Sequence, residues 1–355
     1  MNITYLLGNG FDLQLGLKTT YADFLKEYIK YPSENELIRN FKDFLKTKKS
    51  NWSNMFWSDA EEAMGKYLSN FTDDTIDHLK QCIFNFEERF FFYLMREQNK
   101  CNYEKRVRYI YRIFANFVTN SFSDVLCNRC KSLGVINDSK TFFDFLTLNY
   151  TDTIDHLAHP CTFYIGDDYS DVIPEIYYQF REVHHIHGSL KSQIVMGVDN
   201  VSQLDNKKNI TLSDDIQTMM IKPNQNKQSG DRRDLRTQQI IKHSDIIVFY
   251  GVSFGKTDNT WWQYINDWLK ENNNRKIVEF IYAPDTFLSK IISWDEEIFE
   301  QKKRKELLNK ILIDESDPFY KSCFERTYII LNTKKLDLKK QILFTSNDSS
   351  PTKDN

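Results

Sequence analysis

Four short segments of this chain carry the residue types that do chemistry, and each follows or ends an apolar run. They are Leu7-Gly8-Asn9-Gly10-Phe11-Asp12, Thr147-Leu148-Asn149-Tyr150, His187-Gly188-Ser189 and Gly251-Val252-Ser253-Phe254. Gly8 and Gly10 in a tight strand-to-helix turn would let bare backbone approach a phosphate, with helix-start amides favouring its charge. The turn is not the dinucleotide fingerprint GxGxxG, because Leu13 occupies the third glycine position. Asn9 and Asp12 either reach a ribose or fix the loop, Asp12 alternatively as a helix cap. Asn149 at a strand end can hold a ribose hydroxyl or a water, since a carboxamide donates and accepts together; alone it is an ordinary turn residue. Asp152 and Asp155 follow at a helix start, where an acid serves as cap or dipole partner, or meets substrate.

His187, at a strand end beside Gly188, suits proton transfer near neutral pH, against the alternative of a satisfied structural histidine. His184 and His185 lie within three residues of it, and an extended segment puts His185 and His187 on one face. A metal site needs further ligands, and none stands out by spacing, so no metal is expected. Gly251 and Ser253 offer amides and a hydroxyl to a ribose or phosphate. The run Gly251 to Gly255 matches the nucleophile-elbow pattern GxSxG, but the last histidine, His243, precedes Ser253. An α/β-hydrolase triad, which runs serine, acid, histidine, is thereby excluded.

These segments need a scaffold that gathers distant strand ends on one edge, as an open parallel sheet does. Strand patterns run over Ile3 to Leu7, Thr141 to Asn149, Cys161 to Ile165, Glu182 to His187, Gln193 to Met196, Asp245 to Tyr250, Lys276 to Tyr282 and Thr327 to Leu331. From Phe11 to Leu133 apolar residues recur at three- and four-residue spacing, which predicts helices at Glu34 to Leu45, Trp57 to Leu68, Thr75 to Glu97 and Lys105 to Ser132. Thr20 and Asp23 predict a helix start near Tyr21, and Gly134 a stop for the last helix. Further helices are expected from Asp258 to Glu271 and from Phe287 to Leu312. Residues 199–235 are polar and read as a loop or mobile flap, and residues 345–355 as a flexible tail. The fold class is therefore α/β, a Rossmann-like parallel sheet built from residues 1–12 and 141–335, with 13–140 as a large helical insertion after the first strand.

At 355 residues with 15% aromatic content, the chain can bury a large aromatic core. A net charge of -3 points to no acidic or basic partner. No stretch approaches the roughly 18 apolar residues of a membrane helix, the N-terminus has no basic start, and six cysteines in this length form no disulfide framework. A cytoplasmic protein is expected. Cys127 and Cys130, the only CxxC, lack the second ligand pair of a structural zinc. Lys207 to Lys242 holds eight Lys or Arg against four Asp and no aromatics, which reads as a solvated flap rather than a nucleic-acid surface. Glu61, one turn after Trp57, either faces the pocket or is an exposed helix acid, the commoner case, and Trp261, Trp262 and Trp268 read as packing residues.

In combination the motifs resemble the AbiH family of phage abortive-infection proteins, within the wider sirtuin-like group. The resemblance rests on Leu7 to Asp12 with Gly16-Leu17-Lys18-Thr19-Thr20-Tyr21, on Phe56-Trp57-Ser58-Asp59-Ala60-Glu61-Glu62, on Leu148-Asn149-Tyr150-Thr151, on His185-Ile186-His187-Gly188, and on Tyr250 to Phe254. It implies a sirtuin-like antiphage effector that binds NAD and hydrolyses its nicotinamide–ribose bond. It assigns His187, Asn149 and Asp152 to catalysis, with Gly8, Asn9, Gly10, Phe11, Asp12, Gly188, Gly251 and Ser253 holding the cofactor. His187 matches the sirtuin HG histidine, Asn149 the asparagine that orients ribose and water, and Gly251 with Ser253 the adenosine-side GTS. Sirtuin-like NADases often read Asn-Tyr-Asp, whereas Thr151 here displaces the acid to Asp152. The sirtuin four-cysteine zinc module is missing, which argues against a protein deacylase. The resemblance also implies a phage-derived or partner-protein trigger and a homo-oligomer. The alternatives are a nucleotide-sensing module without turnover and a nucleic-acid-targeting effector.

Overall fold

The computed structural model describes residues 1–47, 57–101, 103, 140–158, 161–164, 177–207, 210–281 and 293–331. A seven-stranded sheet forms its centre, in the order β3-β4-β2-β1-β5-β6-β7. The strands are β1 Asn2–Leu7, β2 Lys140–Thr147, β3 Cys161–Tyr164, β4 Tyr177–His185, β5 Ile246–Tyr250, β6 Lys276–Ile281 and β7 Thr327–Leu331. All neighbours pair parallel except β3, which lies antiparallel on the edge beside β4. Setting β3 aside, the order 4-2-1-5-6-7 repeats the doubly wound arrangement, whose strand order reverses between β1 and its later neighbour, here β5. This is a Rossmann-like α/β sheet.

Strand alternation sorts the sheet's two faces. Ile3, Tyr5 and Leu7 of β1 join Phe143, Phe145, Phe180, Val248 and Phe280 in one core, where the Phe145 and Phe180 rings stack with centroids 5.5 Å apart. Leu6 and its neighbours Leu146, Ile247 and Phe249 face the other way, against Trp262, Ile265 and Leu269 of a covering helix. Trp262 donates its indole N–H to the Gly255 carbonyl and Trp268 to that of Ser244. The three tryptophans are packing residues, as their sequence context indicates.

Between β1 and β2 the described residues are helical: α1 Gly10–Gln14, α2 Tyr21–Tyr28, α3 Glu36–Thr47, α4 Trp57–Tyr67 and α5 Ile76–Gln98. Thr20 caps α2 by accepting the Asp23 amide at 3.0 Å. These helices form a separate aromatic cluster around Phe24, Phe41, Phe86 and Phe90 that also takes in Tyr150, Met196 and Met220. The expected helix at Lys105 to Ser132, its stop at Gly134, the cysteines at 127 and 130, and the tail at 345–355 lie outside the described residues.

After β2 come α6 Thr153–Leu157, α7 Asp214–Met220, α8 Lys222–Ser229, α9 Arg233–His243, α10 Asn259–Glu271, α11 Ser293–Lys310 and α12 Tyr320–Glu325. Two expectations fail here. Gln193 to Met196 is not a strand: the Val195 amide donates to the His187 carbonyl and the Met196 amide to the Gln225 side chain, so no ladder forms. Residues 199–235 are not a loose flap, since they hold α7, α8 and the start of α9. Ser213 caps α7, and Val198 and Ile221 form a parallel bridge that pins the α7–α8 junction beneath α4. β4 also ends at His185, so His187 stands in the turn beyond it.

Candidate active site

The loops after β1, β2, β4 and β5 meet at the carboxyl edge of the sheet. The turns after β1 and β5 touch backbone to backbone. Gly8 and Gly10 donate their amides to the carbonyls of Tyr250 and Gly251, at 2.9 and 3.0 Å. A Cβ on Gly10 would stand 2.5 Å from the Gly251 Cα, and one on Gly8 2.5 Å from the Gly251 oxygen. Gly251 itself has φ +66°, in the left-handed region. The glycines are thus required by the fit of two turns to each other, and the two amides expected for a phosphate are already engaged.

Side-chain bonds lock the same loops. The Asn149 carboxamide donates to the Gly8 carbonyl at 3.1 Å, Thr151 donates to Asp12 at 2.6 Å, and Thr19 donates to Asn9 at 2.5 Å. Above them opens a cleft lined by Gly8, Asn9, Asp12, Asn149, His187 and Ser253 together with Thr19, Thr151, Leu148, Tyr150, Phe90 and Leu94. Six residues marked in the sequence therefore meet in one place. Gly10, Phe11, Gly188 and Gly251 are not on its wall: Phe11 packs in the sheet core, and Gly188, at φ +74°, turns the chain against the Gln193 carbonyl. Asp152 is also off the wall, its amide donating to Gln98 at 2.6 Å.

The cleft's remaining wall comes from three residues whose importance the sequence concealed: Glu61 of α4, Lys222 opening α8 and Asp258 before α10. The Lys222 ammonium lies 2.8 Å from Glu61 Oε2 and 2.9 Å from Asp258 Oδ1. His187 Nε2 meets the same Asp258 oxygen at 2.7 Å, and Thr257 donates to Glu61 at 2.5 Å. Glu61, His187 and Lys222 are each only 3% exposed. Of the two readings open for Glu61, the pocket-facing one holds: it is a buried residue of the cleft, not an exposed helix acid. Two members of the basic stretch, Lys222 and Arg233, are internal, the latter donating to the Gln193 carbonyl at 3.0 Å.

Burial governs the charges in this array. It raises Glu61 above the ordinary carboxylate range, and the negative Asp258 adds to the effect against the pull of Lys222. Burial also works to raise Asp258, but the Lys222 ammonium and His187 outweigh it and hold that carboxyl well down. Burial and the Lys222 charge lower His187, which keeps its ring neutral at pH 7. An ionised Asp258 takes the Nε2–H, so the lone pair of the neutral ring lies on Nδ1, a buried atom without a protein partner. Asp12 Oδ1 is likewise buried and unpartnered, and burial pushes that carboxyl up to about 6. His187 and Lys222 also line a second cavity, with Asp199, Asn226, Trp261 and Tyr264.

The arrangement can orient a neutral histidine as a base and offer a second acceptor on the same wall. No described helix is long and apolar enough to cross a membrane. A family model described as "Bacteriophage abortive infection AbiH" matches residues 4–280. No curated protein matches the sequence.

Proposed function

Because that match covers most of the chain, the protein belongs to the AbiH family, and on that premise we propose that it is a cytoplasmic antiphage effector that hydrolyses NAD. The nicotinamide–ribose C–N bond breaks, a water oxygen bonds to the ribose anomeric carbon, and nicotinamide, ADP-ribose and a proton leave. The observation that carries this reading is the unpartnered His187 Nδ1, its ring oriented by Asp258 in a dry wall. A base oriented through its far nitrogen by a buried acid is set to take a proton from a ribose hydroxyl or the attacking water.

Asp12 supports the same ligand. Its free Oδ1 calls for a hydroxyl donor, and a ribose presents two. Ionised, it would also favour the positive charge that develops on the ribose ring as nicotinamide departs neutral. Asn149, with its amide committed to Gly8, serves to hold the β1 loop in place on the cleft wall. With the Gly8 and Gly10 amides engaged and the Thr19 and Thr151 hydroxyls donating to Asn9 and Asp12, the pyrophosphate is left to the Ser253 hydroxyl of this wall.

The test is NAD turnover by the purified chain beside His187→Gln, with nicotinamide and ADP-ribose quantified and both proteins' melts recorded. One-to-one product release by the wild type, reduced about 10²–10⁴-fold in a folded variant, is expected for loss of a general base. Equal turnover in the two proteins would overturn the assignment of His187.

A further inference from the structure

Away from the cleft wall, behind Asn149, one imidazole and two carboxylates converge. His185, Asp152 and Asp155 each bring one ligand atom to a group whose members lie within 4.8 Å of one another. His185 comes from the end of β4, and the two acids from the start of α6, which the sequence offered as helix-cap residues or substrate contacts. His185 Nδ1 stands 3.0 Å from the Asn149 carbonyl, an acceptor with no proton to give. Its Nε2 then faces an Asp155 carboxylate oxygen at 2.7 Å. In a neutral ring that places two electron pairs against each other unless a proton or a cation lies between them.

A proton would satisfy His185 and Asp155, but it would leave the third member untouched. Asp152 is 2% exposed, and its Oδ1 has no protein partner. Its other oxygen is 3.6 Å from Lys191, whose side chain is 62% exposed. A divalent cation satisfies all three residues at once. The outer bond already present, imidazole N–H to a backbone carbonyl, is the one that orients metal-bound histidines.

We propose that His185, Asp152 and Asp155 bind a divalent first-row transition metal. One nitrogen and two oxygen ligands suit zinc or manganese, and the one-third exposure of Asp155 leaves room for water as a further ligand. Tetrahedral ligands at zinc–ligand distances of about 2.1 Å stand about 3.4 Å apart, so Asp155 opens outward by under about 1 Å on binding. Because Asn149 receives the His185 N–H and itself donates to Gly8, the metal would stiffen the β2 loop. Its role would be structural, independent of whether NAD is turned over.

The experiment is calorimetric titration of zinc chloride, and separately manganese chloride, into chelator-stripped, tag-free full chain, with His185→Gln and Asp155→Asn beside it. One equivalent of either metal, bound at least tenfold more weakly by both variants, is expected, with a metal-dependent rise in Tm in the wild type only. Absence of binding by a cooperatively melting wild type would overturn the proposal. So would unchanged affinity in either variant, which would locate the metal elsewhere.

Discussion

Replacing Lys222 with methionine keeps most of the stem volume and removes the one cation shared by Glu61 and Asp258. At an effective dielectric of about 20, each contact, at 2.8 and 2.9 Å, is worth about 6 kcal/mol of attraction. Withdrawal of each ion from water offsets several kcal/mol of that. Measured losses on stranding one side of a buried pair are about 3–5 kcal/mol, and we expect that range at pH 8. At pH 5 the loss should shrink to about 1–2 kcal/mol, the scale of missing hydrogen bonds alone, because the two acids can then hold protons. The direction follows from linkage: in the variant the folded-state carboxyls are raised above their unfolded values. The folded chain therefore binds more protons, and stability is lost as pH rises through the folded pKa values. Urea denaturation followed by tryptophan fluorescence at both pH values measures this, and adding Glu61→Gln should recover part of the loss. A cost below about 1 kcal/mol at pH 8, or the same cost at both pH values, would refute the electrostatic account.

Three further expectations concern the loops. Gly251→Ala places a Cβ 2.5 Å from Gly10 Cα at a φ of +66°, so overpacking and left-handed strain together should cost about 2–4 kcal/mol in urea melts; a loss under about 1 kcal/mol would mean the turns can separate. Asp12 rises to about 6 on folding, against about 3.9 unfolded. Its folded pKa is raised, so wild-type stability should fall by about 3 kcal/mol as pH rises from about 4 to above 6. Asp12→Asn should remove that slope, and parallel pH–stability curves for the two proteins would contradict it. Trp262→Phe deletes the indole bond to the Gly255 carbonyl and should cost about 1–3 kcal/mol by thermal or urea unfolding; a neutral effect would show that the carbonyl is satisfied by the Asp258 amide alone.

The sheet was legible because its strands are short β-branched and aromatic runs closed by glycine or asparagine, and Thr20 with Asp23 announced the start of α2. Gln193 to Met196 misled because its apolar run Ile194-Val195-Met196 reflects burial among helices, not ladder pairing; the Val195 and Met196 amides bond to His187 and Gln225. The 199–235 segment misled by polarity. Lys222, Gln225, Asn226 and Arg233 are polar residues used as internal anchors, a use visible only once their partners are in place. The candidate site divides the same way. Asn149, His187 and Ser253 were legible because strand ends in a parallel sheet share an edge. Glu61 and Asp258 were not, since each becomes meaningful through a single lysine on another helix, and no local spacing records that bond. The metal-ligating candidates were half visible: the histidines drew attention, but Asp152 and Asp155 sit about thirty positions away from His185 in ordinary cap positions.

The placement of β1 also governs when the molecule can become complete. This strand, made before either neighbour, lies between β2 and β5 and pairs Ile3–Leu7 with Ile246–Tyr250. A growing chain therefore carries its innermost strand with one open edge until residue 250 is available. The Gly8 and Gly10 amides wait for the same turn, and His187 waits for Asp258 to orient it. A fragment ending between His187 and Asp258 has the glycine motif, the asparagine and the histidine yet lacks the acid that sets the ring. The contact that orients His187 is thus formed only in a late step of assembly, after most of the chain has been made.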